Sequence, residues 1–256
     1  MSRENQIQSF LDAEGLGGVE WGPLADDASF RRYFRVKADP CLVLMDAPPD
    51  KEDIVPFMAV GRFLGGLGLS APKILAADPT NGFLLLEDLG DDTFTQLLAR
   101  GDGPGERELY AGAIDVLLRL HTEGAPETLP VPGGADYDLP AYDVDRMTET
   151  ASIFTEWYLP ARNGAEPDQK TIDEFAVIWR DLLPGAAIGG DVVALYDYHA
   201  DNLMWLPERS GAARVGLLDF QDAYRASAAL DLVSLLQDCR RDVSVELEGA
   251  MIERYL

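Results

Sequence analysis

A change of pattern near residue 87 constrains the fold of this chain more than any other feature. Before it, apolar residues come in short strand-length runs broken by turn residues; after it, they recur at helical spacing. Residues 30–37 and 41–45 read as two strands of an antiparallel hairpin, joined across Ala38-Asp39-Pro40. Asp46-Ala47-Pro48-Pro49 ends the second strand, and residues 53–67 carry Ile54, Phe57, Met58, Val60, Phe63 and Leu64 at the spacing of a helix packed on a sheet. Further strands are predicted at 73–76 and 82–87. A short helix with Ile7, Phe10 and Leu11 opens the chain. Beyond Gly90 the clearest helix is 106–121, with Leu109, Ile114, Leu117, Leu118 and Leu120 on one stripe. Residues 124–140, rich in Pro and Gly, read as a loop. Helices follow at 142–157, 169–183, 230–238 and 243–256, interrupted by a hairpin of residues 202–206 and 215–220 around Glu208-Arg209-Ser210-Gly211. Strands first and helices later imply an α+β fold, with a small antiparallel-sheet lobe over 1–87 and a larger helical lobe over 88–256.

Charge narrows the partners. Against 21 Lys and Arg stand 45 Asp and Glu, a net charge of −24. Such a surface has little attraction for phosphate backbones or anionic lipid, so neither nucleic acid nor a membrane is expected as a partner. The acidity also admits a functional reading, attraction of a cationic aminoglycoside, beside the simpler one of solubility. No window approaches the apolar length of a membrane span, and the first 16 residues lack a signal-peptide core. Cys41 and Cys239 have no metal-ligand spacing and are expected as buried thiols in a reducing cytosol. A cytoplasmic, soluble protein is the expectation; its oligomeric state is not legible.

Chemistry concentrates in Leu195-Tyr196-Asp197-Tyr198-His199-Ala200-Asp201-Asn202 and, after the hairpin, Leu217-Leu218-Asp219-Phe220. An Asp five residues before an Asn, with a second Asp closing the next apolar strand, suits phosphoryl transfer. One carboxylate serves the acceptor hydroxyl, and hard oxygen donors serve Mg2+. Taken singly, each residue also reads as a loop acid or a turn residue.

The segment resembles the catalytic loop of the aminoglycoside phosphotransferase and choline kinase family, whose pattern His-Gly-Asp-x-His-x-x-Asn is met at Asp197, His199 and Asn202. Asp219 matches the family's metal-binding Asp, and Phe83-Leu84-Leu85-Leu86-Glu87-Asp88-Leu89-Gly90 is similar to its interlobe linker, where backbone groups meet adenine. The resemblance implies a protein kinase-like two-lobe fold that uses ATP and Mg2+ on a small-molecule substrate. A closer likeness is to the bacterial anomeric kinases of N-acetylmuramate and N-acetylglucosamine, which serve cell-wall sugar recycling. It rests on Ala28-Ser29-Phe30-Arg31-Arg32-Tyr33-Phe34-Arg35, Leu44-Met45-Asp46-Ala47-Pro48-Pro49, residues 197–205, and Leu218-Asp219-Phe220-Gln221-Asp222-Ala223. By resemblance Asp197 is catalytic, Asn202 and Asp219 hold the metal, and Ser29, Phe30, Arg31, Arg32, Glu87 and Leu89 contact ATP. His199 orders the catalytic loop, and Asp231 either supports that loop or caps the helix it opens. An aminoglycoside, a choline-like alcohol or another small hydroxyl compound is the alternative acceptor, and an ATP-binding pseudoenzyme the alternative of another class.

Departures from the family pattern are equally specific. Leu195 and Tyr196 stand where the loop usually opens with His-Gly, and the strand at 41–45 lacks the Lys that meets ATP phosphates. Arg31, Arg32 and Arg35 are the candidate replacements, with alternation sending Arg32 to the face opposite the other two. His121 reads as a helix-terminal residue suited to the helix dipole, or as a core polar residue, rather than a catalytic one. Trp21, Trp157, Trp179 and Trp205 read as packing residues, and Tyr142, Trp157 and Tyr158 are also candidates to stack on a sugar. The helical pattern runs to Leu256, whereas the family continues through further helices that wall the acceptor pocket, so part of that wall is expected to be missing.

Overall fold

The computed structural model describes residues 2–26, 30–131, 133–183 and 190–256. Five antiparallel strands, β1 (Trp21–Asp26), β2 (Arg32–Val36), β3 (Leu42–Asp46), β4 (Ile74–Asp78) and β5 (Phe83–Glu87), form one sheet in the order β1-β2-β3-β5-β4. Alternation divides its side chains. Val36, Leu44, Phe83 and Leu85 pack under Ile7, Phe10 and Leu11 of α1 (Arg3–Ala13), which Ser2 caps by accepting the Asn5 N–H. On the other face Val43, Met45, Leu84 and Leu86 join Phe57, Met58, Val60 and Leu64 of α2 (Val55–Gly66) in the larger core. The β2–β3 hairpin therefore follows its sequence pattern. β1 was not predicted, because Gly22 and Pro23 break its alternation; an edge position and a bulge between Pro23 and Ala25 accommodate the Pro.

Gly82, at the turn into β5, has φ +70°, and a Cβ there would lie 1.9 Å from the Ala47 carbonyl oxygen. Only glycine fits this return. After β5 the chain enters α3 (Phe94–Arg100), capped by Thr93, and α4 (Glu106–His121), whose Leu109, Tyr110, Ala113, Ile114, Val116, Leu117 and Leu120 are buried at the centre of the helical region. The expected loop at 124–140 contains a two-strand ladder, β6 (Thr128–Leu129) with β7 (Tyr137–Asp138). The helix predicted at 142–157 becomes α5 (Val144–Ile153), a π-helical turn at Phe154–Tyr158, and α6 (Leu159–Asn163). α7 (Gln169–Leu182) follows its Asp168 cap.

Four three-residue strands then build the site. β8 (Val192–Ala194) pairs with β11 (Tyr224–Ala226), while β9 (Leu203–Trp205) and β10 (Val215–Leu217) form the hairpin read from the sequence. The hairpin is tied to the segments that leave the sheet: Trp205 N–H donates to the Asp92 carbonyl at 2.9 Å, and Leu217 N–H to the Ser70 carbonyl at 2.9 Å. α8 (Ala229–Leu236) and α9 (Val245–Tyr255) close the fold against α4. Cys41 and Cys239 are both exposed, contrary to the expectation of buried thiols: Cys41 precedes β3 and Cys239 lies in the loop after α8, both outside the packed elements. No helix among the described residues is long and apolar enough to cross a membrane.

Candidate active site

A cavity of about 670 Å³ opens between the sheet and the helical region. Its apolar side is built by Tyr33, Val43, Leu86, Met204, Leu218 and Phe220, and its polar side by the catalytic-loop candidates. The outward run Glu87-Asp88-Leu89-Gly90 lines the edge where the two regions meet.

Asp197 lies in the loop between β8 and the 3₁₀ turn Ala200–Asn202. Tyr196, immediately before it, has φ 72°, a conformation that costs a bulky residue energy and needs outside support. Asp231 supplies that support. Its carboxylate accepts the Leu195 N–H at 2.8 Å and the Tyr196 N–H at 2.9 Å, and the Ser234 hydroxyl donates to the Tyr196 carbonyl at 3.1 Å. Asp231 is not the helix cap: Ala228 occupies that position without a side-chain bond. Burial pushes the Asp231 carboxyl up to about 7, opposed by the two backbone donors.

Asn202 turns its amide nitrogen inward, donating to the Asp197 carbonyl at 3.0 Å and meeting His199 Nε2 at 3.2 Å. With the amide as donor, Nε2 accepts and the ring proton sits on Nδ1, which is buried without a hydrogen-bond partner. The amide oxygen of Asn202 is thereby left for the cavity. Asp219, at φ 53°, closes β10; its Oδ1 accepts from Gln221 at 2.7 Å and from Arg31 at 3.2 Å. Asp197 is shifted above the ordinary carboxylate range, first by burial and then by the nearby charge of Asp219.

These are hard oxygen donors of the kind Mg2+ takes, and two of them suffice where phosphate oxygens and water complete the shell. No group of three His, Cys, Asp or Glu side chains among the described residues forms a metal site by itself. The residues fit a metal shared with a phosphorylated ligand better than one held by protein alone.

The three arginines separate. Arg31 is buried against Asp219. Arg32 points to the other face, where it and Arg3 flank the fully buried Asp46, at 2.5 Å and 2.7 Å, so the expectation that Arg32 contacts ATP meets an arginine already committed to an ion pair. Arg35 binds Asp88 at 2.7 Å and Asp91 at 2.9 Å, fastening β2 to the linker. Of the remaining ATP candidates, Glu87 and Leu89 line the cavity, with the Glu87 carboxylate bound to Arg209 at 2.6 Å. Phe30 donates its N–H to Glu52 and exposes its ring outside the cavity lining, and Ser29 lies outside the described residues.

His121 is buried at the end of α4, its Nδ1 2.7 Å from the Tyr255 hydroxyl. Burial lowers its pKa to about 4, so the imidazole is neutral at pH 7 and adds no charge to the helix dipole; of the two sequence readings, the core polar one fits. Trp157 and Tyr158 are exposed on the π-helical turn and do not line the cavity. Tyr142 instead packs against Tyr196 and Tyr224 with tilted rings, centroids 5.5 and 5.2 Å apart. Sequence reasoning missed two residues here. Gln221 lay within a quoted string, but nothing in its type said that it would hold Asp219; Arg240 follows α8 in a polar stretch with no pattern and reaches the cavity only through the fold.

A kinase-like pair of lobes with an Asp, an Asn and a strand-closing Asp converging at their junction defines the class of phosphoryl-transfer enzymes. The chain belongs to the phosphotransferase enzyme family, whose model matches residues 20–256, and it is a phosphotransferase. It is 39% identical to the N-acetylmuramate/N-acetylglucosamine kinase of Caulobacter vibrioides, over 99% of this chain and 77% of that protein. To the kinase of the same name from Pseudomonas aeruginosa it is 38% identical, over 93% of this chain and 68% of that protein. An aminoglycoside phosphotransferase solved with gentamicin shares the fold with a TM-score of 0.65 at 14% identity, over 98% of this chain and 80% of that one. The same enzyme solved with streptomycin and ATP gives 0.62 at 15% identity, over 100% and 83%.

Proposed function

We propose that this protein transfers the γ-phosphoryl group of ATP, with Mg2+, to the anomeric hydroxyl of N-acetylmuramate and N-acetylglucosamine, as a kinase of cell-wall sugar recycling. The observation that carries it is the convergence of Asp197, Asn202 and Asp219 on one cavity, in a chain similar over nearly all its length to kinases of those two sugars.

The sheet lobe, residues 1–87, holds the nucleotide against the lobe of residues 88–256. Val43, Leu86 and Leu218 offer apolar walls to adenine, and the backbone of Glu87 to Leu89 offers its hydrogen-bonding edge. Asn202 and Asp219 hold Mg2+, which when bound neutralises phosphate charge. Arg31, beside Asp219, takes the place of the absent Lys as the cation for the phosphates. Asp197 orients the sugar hydroxyl and accepts its proton as the new oxygen–phosphorus bond forms and the bond to the ADP oxygen breaks. His199 fixes the Asn202 amide, and Asp231 holds the strained backbone before Asp197. ATP as the phosphoryl donor supports a cytoplasmic location for the proposed reaction.

The test is ADP release with ATP and Mg2+ over N-acetylmuramate, N-acetylglucosamine, plain hexoses, aminoglycosides and choline, with Asp197→Ala alongside. Phosphate located at C1 of the N-acetyl sugars is the expected product. The variant is expected to lose about 10²–10⁴-fold in kcat with the KM for ATP little changed. Turnover confined to another acceptor, or near-normal turnover by the variant, overturns the reading.

A further inference from the structure

The two sugars of the proposed reaction differ in one group. N-acetylmuramate carries a lactyl ether whose carboxylate is ionised at neutral pH, and N-acetylglucosamine carries a hydroxyl there. An acceptor site built from carboxylates repels the first and not the second. Beyond the edge of Glu87 to Leu89 given to adenine, the acids lining this cavity are Asp197, Asp201 and Asp219, and Arg240 is the cation among the described lining residues.

Arg240 is held where it can answer that repulsion. Its neighbour Arg241 binds Glu106 at the start of α4, which anchors the loop between α8 and α9. The Arg240 N–H donates to Asp238 Oδ1 at 2.9 Å, fixing the turn. The Arg240 guanidinium itself is half exposed, and its nearest carboxylate oxygen, on Asp238, is 3.5 Å away, beyond the usual hydrogen-bond range. Other cations near the site are engaged more closely or elsewhere: Arg35 with Asp88 and Asp91, Arg209 with Glu87, and Arg31, beside Asp219, with the phosphates of the proposed reaction, whereas the Arg240 guanidinium has only the long contact to Asp238 and one to Cys239 Sγ at 4.0 Å. Arg240 is also a positive charge felt at Asp197, the residue at which the acceptor hydroxyl reacts.

We infer that Arg240 is the acceptor-carboxylate subsite, binding the lactyl carboxylate of N-acetylmuramate and setting the preference between the two sugars. The inference rests on the proposed reaction and adds to it a residue for one substrate's distinguishing group. A planar guanidinium suits a carboxylate in bidentate contact, and it offsets the acidic lining that would otherwise exclude an anionic sugar. With N-acetylglucosamine the guanidinium stays in water and contributes little.

The experiment is steady-state kinetics of the full chain and of Arg240→Gln and Arg240→Lys with each sugar, together with the KM for ATP. Arg240→Gln is expected to lower kcat/KM for N-acetylmuramate about 10–100-fold more than for N-acetylglucosamine, the loss of one charge-assisted contact. The effect should appear mainly in the KM for N-acetylmuramate, with partial recovery in Arg240→Lys. An equal fall for both sugars, or a raised KM for ATP, means that Arg240 serves the nucleotide or Asp197, and overturns the inference; so does an unchanged ratio. If the unaltered protein phosphorylates neither sugar, the underlying reaction fails first, and the subsite falls with it.

Discussion

Asp231 does its work without touching the cavity. The buried carboxylate spans two successive backbone N–H groups, holding Tyr196 in a left-handed conformation one residue before Asp197. Asp231→Asn keeps the size but gives up one acceptor, leaving a buried N–H facing an amide. It is expected to destabilise the protein by about 1–3 kcal/mol and to lower kcat through misplacement of Asp197. Titration gives a second readout. With the native carboxyl at about 7 and an unfolded Asp near 3.9, the unfolded chain releases this proton first as pH rises. The residue's contribution is therefore fullest below about pH 4 and declines toward pH 7. Urea midpoints of the protein and of Asp231→Asn across pH 4–8 should converge as pH rises; a constant difference would place the titration elsewhere.

At the scale of elements, the turn between β4 and β5 has the least tolerance. Ala47 N–H donates to the Gly82 carbonyl while the Ala47 carbonyl crowds the glycine from the other side. Gly82→Ala combines a left-handed backbone, about 1–3 kcal/mol for a residue with a Cβ, with a direct backbone clash. A loss of stability beyond that range is expected in thermal or urea unfolding, whereas a neutral result would mean that the turn can be remodelled cheaply. The same scale separates what the sequence makes legible from what it hides. The β2–β3 hairpin, α2 and α4 were readable because one face of each is continuously apolar. β1 was hidden by Gly22 and Pro23, and β8 and β11 because they pair across residues 195–223, with no short turn joining them to mark a hairpin as Glu208-Arg209-Ser210-Gly211 marks β9 and β10. Asp197, Asn202 and Asp219 were visible as a spaced set. Arg240 was not, because its place at the cavity is set by loops folding past one another, and the separate fates of Arg31, Arg32 and Arg35 depended on which acid each strand face met.

For the molecule as a whole, a net charge of −24 is the dominant long-range force. Like charges repel more in the compact state than in the expanded one, so the excess of acids weakens the fold at low ionic strength. Salt also screens the many surface ion pairs, but exposed pairs contribute about 0–1 kcal/mol each and often nothing. Repulsion is expected to win. The unfolding temperature should rise by a few degrees between 10 mM and 1 M sodium chloride, as the screening length falls from about 30 Å to about 3 Å; a fall would show that the ion pairs outweigh the repulsion.

The two exposed thiols acquire a use at this scale. Cys41 immediately precedes β3 in the sheet region and Cys239 stands beside Arg240 in the helical region, both open to solvent. They are the chain's full complement of cysteines. The protein thus arrives with two attachment points for a pair of dyes, and energy transfer between them would report whether the separation of its halves changes when nucleotide or sugar is added, with no residue replaced.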